Sequence, residues 1–334
     1  MPYSGDVIRR ATEALQANVR QHRGAFEEKK ERIYRQLPEL PQIDRQLSQT
    51  VRRAAQTALV KGVDPGPVIA QAKRQNLALQ QQRRELLASK GYTPEDLTYK
   101  PMCLRCEDKG WKGAEMCRCL QTLCGKEQIK DLSSMLNLGD QSFDTFSLDY
   151  YSPVYEPAYG GSARFWAESA LDTCFRYANR FGRNPVKNLF LTGAPGLGKT
   201  FLSASIARVV SEQGYSVVYD SAVTVFNRFE AQKFNRDPGA NTDVDRYLTC
   251  DLMILDDLGS EMTSQFTQAA LYQLVNTRLL GDKHTVISSN LSLDDLRARY
   301  VSQVYSRIAG EYMEVPFYGD DIRRQKKERT QRGY

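Results

Sequence analysis

The run Gly193, Ala194, Pro195, Gly196, Leu197, Gly198, Lys199, Thr200 fits G-x-x-x-x-G-K-[ST] at every defined position. Glycines at that spacing let successive backbone N–H groups turn inward around an anion. The lysine ammonium then reaches the outer phosphates of a nucleotide, and the threonine hydroxyl faces Mg²⁺. Phe201 opens the apolar stretch that follows, placing the loop at a helix N-terminus, where the dipole favours phosphate. ATP with Mg²⁺ is the expected ligand of residues 193–201, with Thr200 as one magnesium ligand.

Further along, Leu252, Met253, Ile254 and Leu255 lead into two carboxylates, Asp256 and Asp257. An apolar strand ending in this way suits a site that holds Mg²⁺ through Asp256 and orients the attacking water with Asp257. Thr285 to Ser289 is a second strand candidate, ending at Asn290. Its amide is expected to sense the γ-phosphate or the nucleophilic water; capping the next helix is the competing reading. Lys199 is the cation within the motif itself. An arginine supplied by a neighbouring subunit would meet transition-state charge only on assembly, and Arg307 and Arg323 are the candidates.

Four cysteines form a separate constellation: Cys103 and Cys106 in C-x2-C, then Cys117 and Cys119 in C-x-C. Four thiolates match a closed tetrahedral Zn²⁺ site with no open position, hence a structural one. An iron–sulfur cluster or redox thiols are the alternatives. Cys124 is expected to stand apart, and Cys174 and Cys250 to be core thiols.

These residues need elements to place them. From 186 to 320 short apolar runs (187–192, 216–220, 251–256, 284–289, 312–317) alternate with helical patterns, which predicts an α/β fold with a mainly parallel sheet flanked by helices. Before it, 8–19, 26–37, 43–60 and 67–90 carry apolar residues at three- and four-residue steps, as amphipathic helices do. The expected organisation is a helical partner-binding region at 1–90 and a zinc-binding knuckle at 91–125. A linker with an aromatic segment (126–185), the nucleotide domain (186–325) and a basic tail (326–334) follow.

Charge is uneven: the chain carries +6 overall, but residues 1–100 hold +7 and the remainder −1. Basic stretches of this kind attract phosphate backbones or acidic proteins, although solvated helix faces are equally basic. Two histidines in 334 residues argue against histidine-based catalysis or metal binding. Seven cysteines without an apolar signal core near the N-terminus suit thiols or metal ligands in the cytoplasm rather than disulfides. No apolar run approaches the roughly 20 residues that span a bilayer.

With these residues in view, the chain resembles the DnaC/DnaI/IstB-like branch of AAA+ ATPases. The resemblance rests on G-A-P-G-L-G-K-T at 193–200, L-D-D-L-G-S-E at 255–261, S-S-N at 288–290, S-R-I at 306–308 and G-D-D-I-R at 319–323. The segment S-F-D-T-F-S-L-D-Y-Y-S at 142–152 and the cysteine arrangement add to it, the latter resembling the DnaI type. It implies a helicase loader that binds a hexameric replicative helicase and delivers it to single-stranded DNA, with nucleotide-dependent self-assembly. It implies that Arg307 is the arginine finger, that Asn290 is sensor 1, and that Phe143 and Phe146 lie near the adenine. Gln303 stands where many relatives carry a second arginine, which concentrates the trans role on Arg307. A transposition-associated ATPase and a nucleotide-gated adaptor with negligible hydrolysis are the alternative functions.

Overall fold

The computed structural model describes residues 3–58, 66–136 and 141–332. It falls into two compact units, residues 14–115 and residues 116–334 together with 1–13.

Helices dominate the first part of the chain: α1 (Gly5–Gln36), α2 (Leu40–Ala58) and α3 (Gly66–Ala88). The separate helices expected at 8–19 and 26–37 are one continuous element. The residues between them are good helix formers apart from Gly24, and one glycine costs only about 1 kcal/mol relative to alanine. Pro38 does end α1, because it lacks an N–H and restricts Leu37 before it. Ile33, Leu37, Leu40 and Leu87 form a small buried core here. Beside it Asp44 accepts hydrogen bonds from Tyr34 (2.7 Å) and Arg83 (2.7 Å). The end of the helix expected at 43–60 and the chain that follows it, 59–65, fall outside the described residues.

A hairpin of β1 (Trp111–Lys112) and β2 (Glu115–Met116) precedes α4 (Arg118–Leu136). A second, β3 (Tyr155–Glu156) with β4 (Gly161–Ser162), precedes α5 (Ala163–Asn179). The main sheet then alternates with helices. Its elements are β5 (Asn188–Thr192), α6 (Lys199–Glu212), β6 (Val217–Ser221), α7 (Ala222–Lys233), α8 (Pro238–Thr249), β7 (Leu252–Leu258), α9 (Gln265–Leu280), β8 (His284–Ser289), α10 (Leu293–Arg299), α11 (Ser302–Glu311), β9 (Met313–Pro316) and α12 (Ile322–Arg332).

The five strands run parallel in the order β6-β7-β8-β5-β9. Leu189, Leu191, Val217, Tyr219, Leu252 and Ile254 face one core. Phe190, Val218, Met253, Leu255 and Ile287 face the other. Because alternate residues enter different cores, β5, β6 and β7 each carry a continuous apolar run (Leu189–Leu191, Val217–Tyr219, Leu252–Leu255), as a parallel sheet covered on both faces requires.

The stretch 126–185 holds most of α4 and all of α5, whose Ala170, Cys174 and Tyr177 enter the first core. Gly125 lets α4 lie close on α6: a Cβ there would stand 2.0 Å from the Ser211 carbonyl oxygen. One turn on, the buried Gln128 donates to Ser211 Oγ (2.8 Å) and accepts from the Val217 N–H (3.1 Å).

Candidate nucleotide-binding site

The loop 193–198 joins the C-terminal end of β5 to α6, and Lys199 and Thr200 begin that helix. Its glycine pattern answers to neighbours as well as to a ligand. At Gly196 (φ +80°) a Cβ would meet the Asp321 carboxylate within 2.1 Å, and the Gly196 carbonyl accepts the Ile322 N–H at 3.0 Å. On the other side the buried Tyr151 hydroxyl donates to the Leu197 carbonyl at 2.8 Å. The loop is therefore held by chain from both sides of it in sequence.

Lys199 is buried, and its ammonium donates to the carbonyls of Gly193 (2.5 Å) and Ala194 (2.8 Å). Burial lowers its pKa, Asp257 and Asp256 oppose the shift, and Arg323 adds to it. Asp256 and Asp257 come from the end of β7, where the pairing with β8 shifts register between Leu255 and Leu258. That irregularity puts Asp257 in the left-handed region (φ +57°), which Asp tolerates better than most residues.

Asp256 is a focus of hydroxyl donors. Thr200 approaches Oδ2 at 3.2 Å and Tyr219 approaches it at 2.8 Å, while Ser288 donates to Oδ1. The Ser288 hydroxyl also accepts the Asp257 N–H at 3.0 Å. Tyr219 was not singled out by sequence reasoning, and Ser288 entered it only as part of the S-S-N run at 288–290, with no role of its own. The available signal was register: β6 and β7 pair Ser221 with Asp256, so Tyr219 lies on the neighbouring strand two residues short of the carboxylate.

A cleft of about 600 Å³ gathers Pro195, Gly196, Leu197, Gly198, Lys199, Thr200, Phe201, Asp256, Asp257, Ser288, Asn290 and Arg323. Gly193 and Ala194 stand at its edge through the carbonyls that Lys199 engages. Asn290 does not cap the next helix; Ser292 does, with Asp295 completing a reciprocal capping pair. The aromatic pair implied by resemblance divides. Phe146 lines the cleft and packs edge-on to Phe201 (5.5 Å between rings), whereas Phe143 is buried in the core, edge-on to Phe175 (5.6 Å). Tyr150, Ile322 and Lys326 complete that end of the cleft. There α12 lies along the aromatic segment, with Lys326 and Arg329 over the Tyr150 ring at 5.4 and 4.7 Å.

Arg307 does not line the cleft of its own chain. Its guanidinium donates to Asn276 Oδ1 (2.8 Å), the Tyr272 hydroxyl (3.1 Å) and the Gln303 carbonyl (3.3 Å), and lies over the Tyr272 ring.

A family profile described as IstB-like ATP binding protein matches residues 181–330. This domain belongs to that family. The sheet order of the IstB-like domain, with the phosphate-loop strand β5 separated from the carboxylate strand β7 by β8, is the AAA+ P-loop arrangement. Over 153 residues (44% of this chain, 61% of the relative) it is 27% identical to the replicative helicase loader DnaC of Buchnera aphidicola subsp. Baizongia pistaciae. Over 132 residues (39% and 40%) it is 34% identical to the replicative helicase loader DnaI of Bacillus subtilis. Both matches cover less than two thirds of the relative. The crystal structure of the DnaC helicase loader superposes on 55% of this chain and 99% of its own, at 21% identity and TM-score 0.45.

Outside the IstB-like domain, the sulfur atoms of Cys103, Cys106, Cys117 and Cys119 all lie within 4.8 Å of one another. A tetrahedral zinc with Zn–S of about 2.3 Å needs sulfurs about 3.8 Å apart, so the set fits the ion. Asp108 (φ +64°) accepts the Cys103 N–H at 2.8 Å and the Met102 N–H at 3.1 Å, and the Gly110 N–H donates to Cys106 Sγ at 3.3 Å. Such outer contacts fix the ligands of a metal. Cys124 lies outside the set, in contact with the Met116 sulfur at 3.9 Å, and burial pushes its thiol up to about 11. Cys174 and Cys250 are buried, as expected of core thiols. Among the described residues, no helix is long and apolar enough to cross a membrane.

Proposed function

We propose that this chain is a Mg²⁺-dependent ATPase that binds a hexameric replicative helicase and delivers it to single-stranded DNA. The observation that carries the ATPase reading is the convergence of Lys199, Thr200, Asp256, Asp257 and Asn290 on one cleft at the C-terminal ends of parallel strands. In this reading residues 193–201 cradle the phosphates, Lys199 offsets their charge, and Thr200 and Asp256 hold the cation. Asp257 and Asn290 orient the attacking water. Mg²⁺ bound there would neutralise charge developing on the phosphates. Arg307, turned away from its own cleft, serves the neighbouring subunit of a nucleotide-dependent assembly.

The helicase reading draws on the names of the DnaC and DnaI relatives. We assign helicase binding to residues 1–90 and 91–125, the latter held by Zn²⁺ on Cys103, Cys106, Cys117 and Cys119. Residues 126–185 join them to the ATPase domain at 186–325, and 326–334 form the basic end. The work is done in the cytoplasm.

Steady-state hydrolysis of ATP, with and without single-stranded DNA, tests the first half. Lys199→Ala and Asp256→Ala are expected to lose roughly 100-fold or more, as removal of charge-stabilising groups does. Parent-like turnover in both would sink the ATPase assignment. Co-elution of the full chain with a purified hexameric replicative helicase tests the second half, and separate elution at micromolar concentration would remove it. Mixing Arg307→Ala with Asp257→Asn subunits should restore hydrolysis that neither shows alone.

A further inference from the structure

We propose that Tyr219 is a positioning residue for the cation site, holding the Asp256 carboxylate in place when Thr200 turns to the metal. The inference rests on the Mg²⁺–nucleotide reading of the cleft and assigns a residue which that reading does not use. Tyr219 lies on β6, is 3% exposed, and sends its hydroxyl to Asp256 Oδ2 at 2.8 Å. The Thr200 hydroxyl approaches the same oxygen at 3.2 Å. Ser288 serves Oδ1 from β8, on the far side of β7 from β6. Asp256 is thus held from both neighbouring strands, and the donors on Oδ2 differ in kind.

The threonine hydroxyl is the group that a phosphate-loop site gives to Mg²⁺. Once it does so, Tyr219 remains as the side-chain donor to Oδ2 among those the structure shows. A carboxylate held at both oxygens, by Ser288 on Oδ1 and Tyr219 on Oδ2, presents a defined face to the water shell of the ion. One held at Oδ1 alone can still turn, and part of the binding energy goes into ordering it. The phenol suits this task. Its ring, in the first core, sets the height of the hydroxyl, so its reach does not depend on a mobile side chain.

Nucleotide binding by Tyr219→Phe is the test, titrated with Mg²⁺ and repeated in EDTA with a fluorescent ATP analogue. Phenylalanine keeps the packed ring and removes only the donor. The Mg²⁺ concentration for half-maximal binding is expected to rise roughly 10-fold, the usual cost of losing an outer-sphere partner. Binding in EDTA should stay as in the parent. Tyr247→Phe, which removes an equivalent tyrosine–aspartate bond to Asp220 (2.9 Å) outside the cleft, should leave the Mg²⁺ midpoint alone. A parent-like midpoint in Tyr219→Phe overturns the proposal while leaving the nucleotide site standing. Equal weakening with and without Mg²⁺ also overturns it, because that is what a purely structural residue would do. Absence of nucleotide binding by the parent chain would remove the reading of the cleft itself.

Discussion

The cysteine cluster and the nucleotide cleft are built on opposite plans. The cluster draws all four sulfurs from residues 103–119, and its supporting contacts, Asp108 to Cys103 and Gly110 to Cys106, are local. The cleft draws on β5, β6, β7, β8, the aromatic segment before α5 and the first turn of α12. A short loop can specify the first, provided a metal supplies the energy that so few residues cannot. The second exists only once the sheet has formed in register. The two should therefore fail differently.

The largest difference is expected on removing a cysteine. Cys106→Ser removes one ligand of the proposed zinc site, and apparent binding free energies of about 10–16 kcal/mol at such sites would make the local fold depend on the ion. Zinc content measured by atomic absorption should fall, and residues near the cluster should become protease-sensitive. Nucleotide affinity should not change. A variant that keeps its metal, or one that loses nucleotide binding in step with zinc, would erase the contrast.

A smaller effect, on the cleft alone, should come from Tyr151→Phe. The substitution frees the Leu197 carbonyl from its buried partner while keeping the ring beside Phe146 (5.8 Å). Loss of such a bond costs about 1 kcal/mol. Nucleotide affinity should drop several-fold while zinc content holds. An unaltered affinity would mean that the phosphate loop stands without its clamp.

The same contrast decides what could be read from the sequence. The phosphate loop, the apolar run before Asp256 and the cysteine pairs are local patterns, legible because their chemistry needs fixed spacing. The five strands were legible too, most clearly β5, β6 and β7, where burial on both faces leaves continuous apolar runs. The second ring of the cleft was not. Tyr219 reaches Asp256 across a strand pairing, and Asp321 meets Gly196 from 125 positions away, so only the three-dimensional register brings them together. The single α1 was misread for a different reason: the sequence shows a glycine in a run of helix formers, and length overrides it. Phe143 was misplaced because a resemblance says which segment lies near a ligand, not which of two rings turns outward.

The smallest expected effect concerns His284 at the start of β8, and it belongs to the sheet rather than to either site. The side chain packs against Phe181 (4.2 Å between rings), and its Nδ1 lies 3.5 Å from the Tyr177 hydroxyl. Burial lowers its pKa below the ordinary 6.5, and Lys187 and Arg278 push the same way, while the Lys187 backbone and Asp282 oppose them. Between the lowered value and 6.5 the unfolded chain holds a proton that the folded chain does not. Unfolding free energy must then rise with pH across that window, and it is lost on acidification until both states are protonated. Chemical unfolding of the parent, followed by tryptophan fluorescence from pH 5 to pH 7.5, should show this slope, and His284→Gln should flatten it. The cysteine cluster contains no histidine, but its thiolates, if they hold zinc, take up protons on unfolding in parent and variant alike. The difference between the two slopes is what reports His284. A slope that survives unchanged in His284→Gln would place the proton elsewhere, and the buried imidazole would have to be reckoned as fully compensated by Asp282 and the Lys187 backbone.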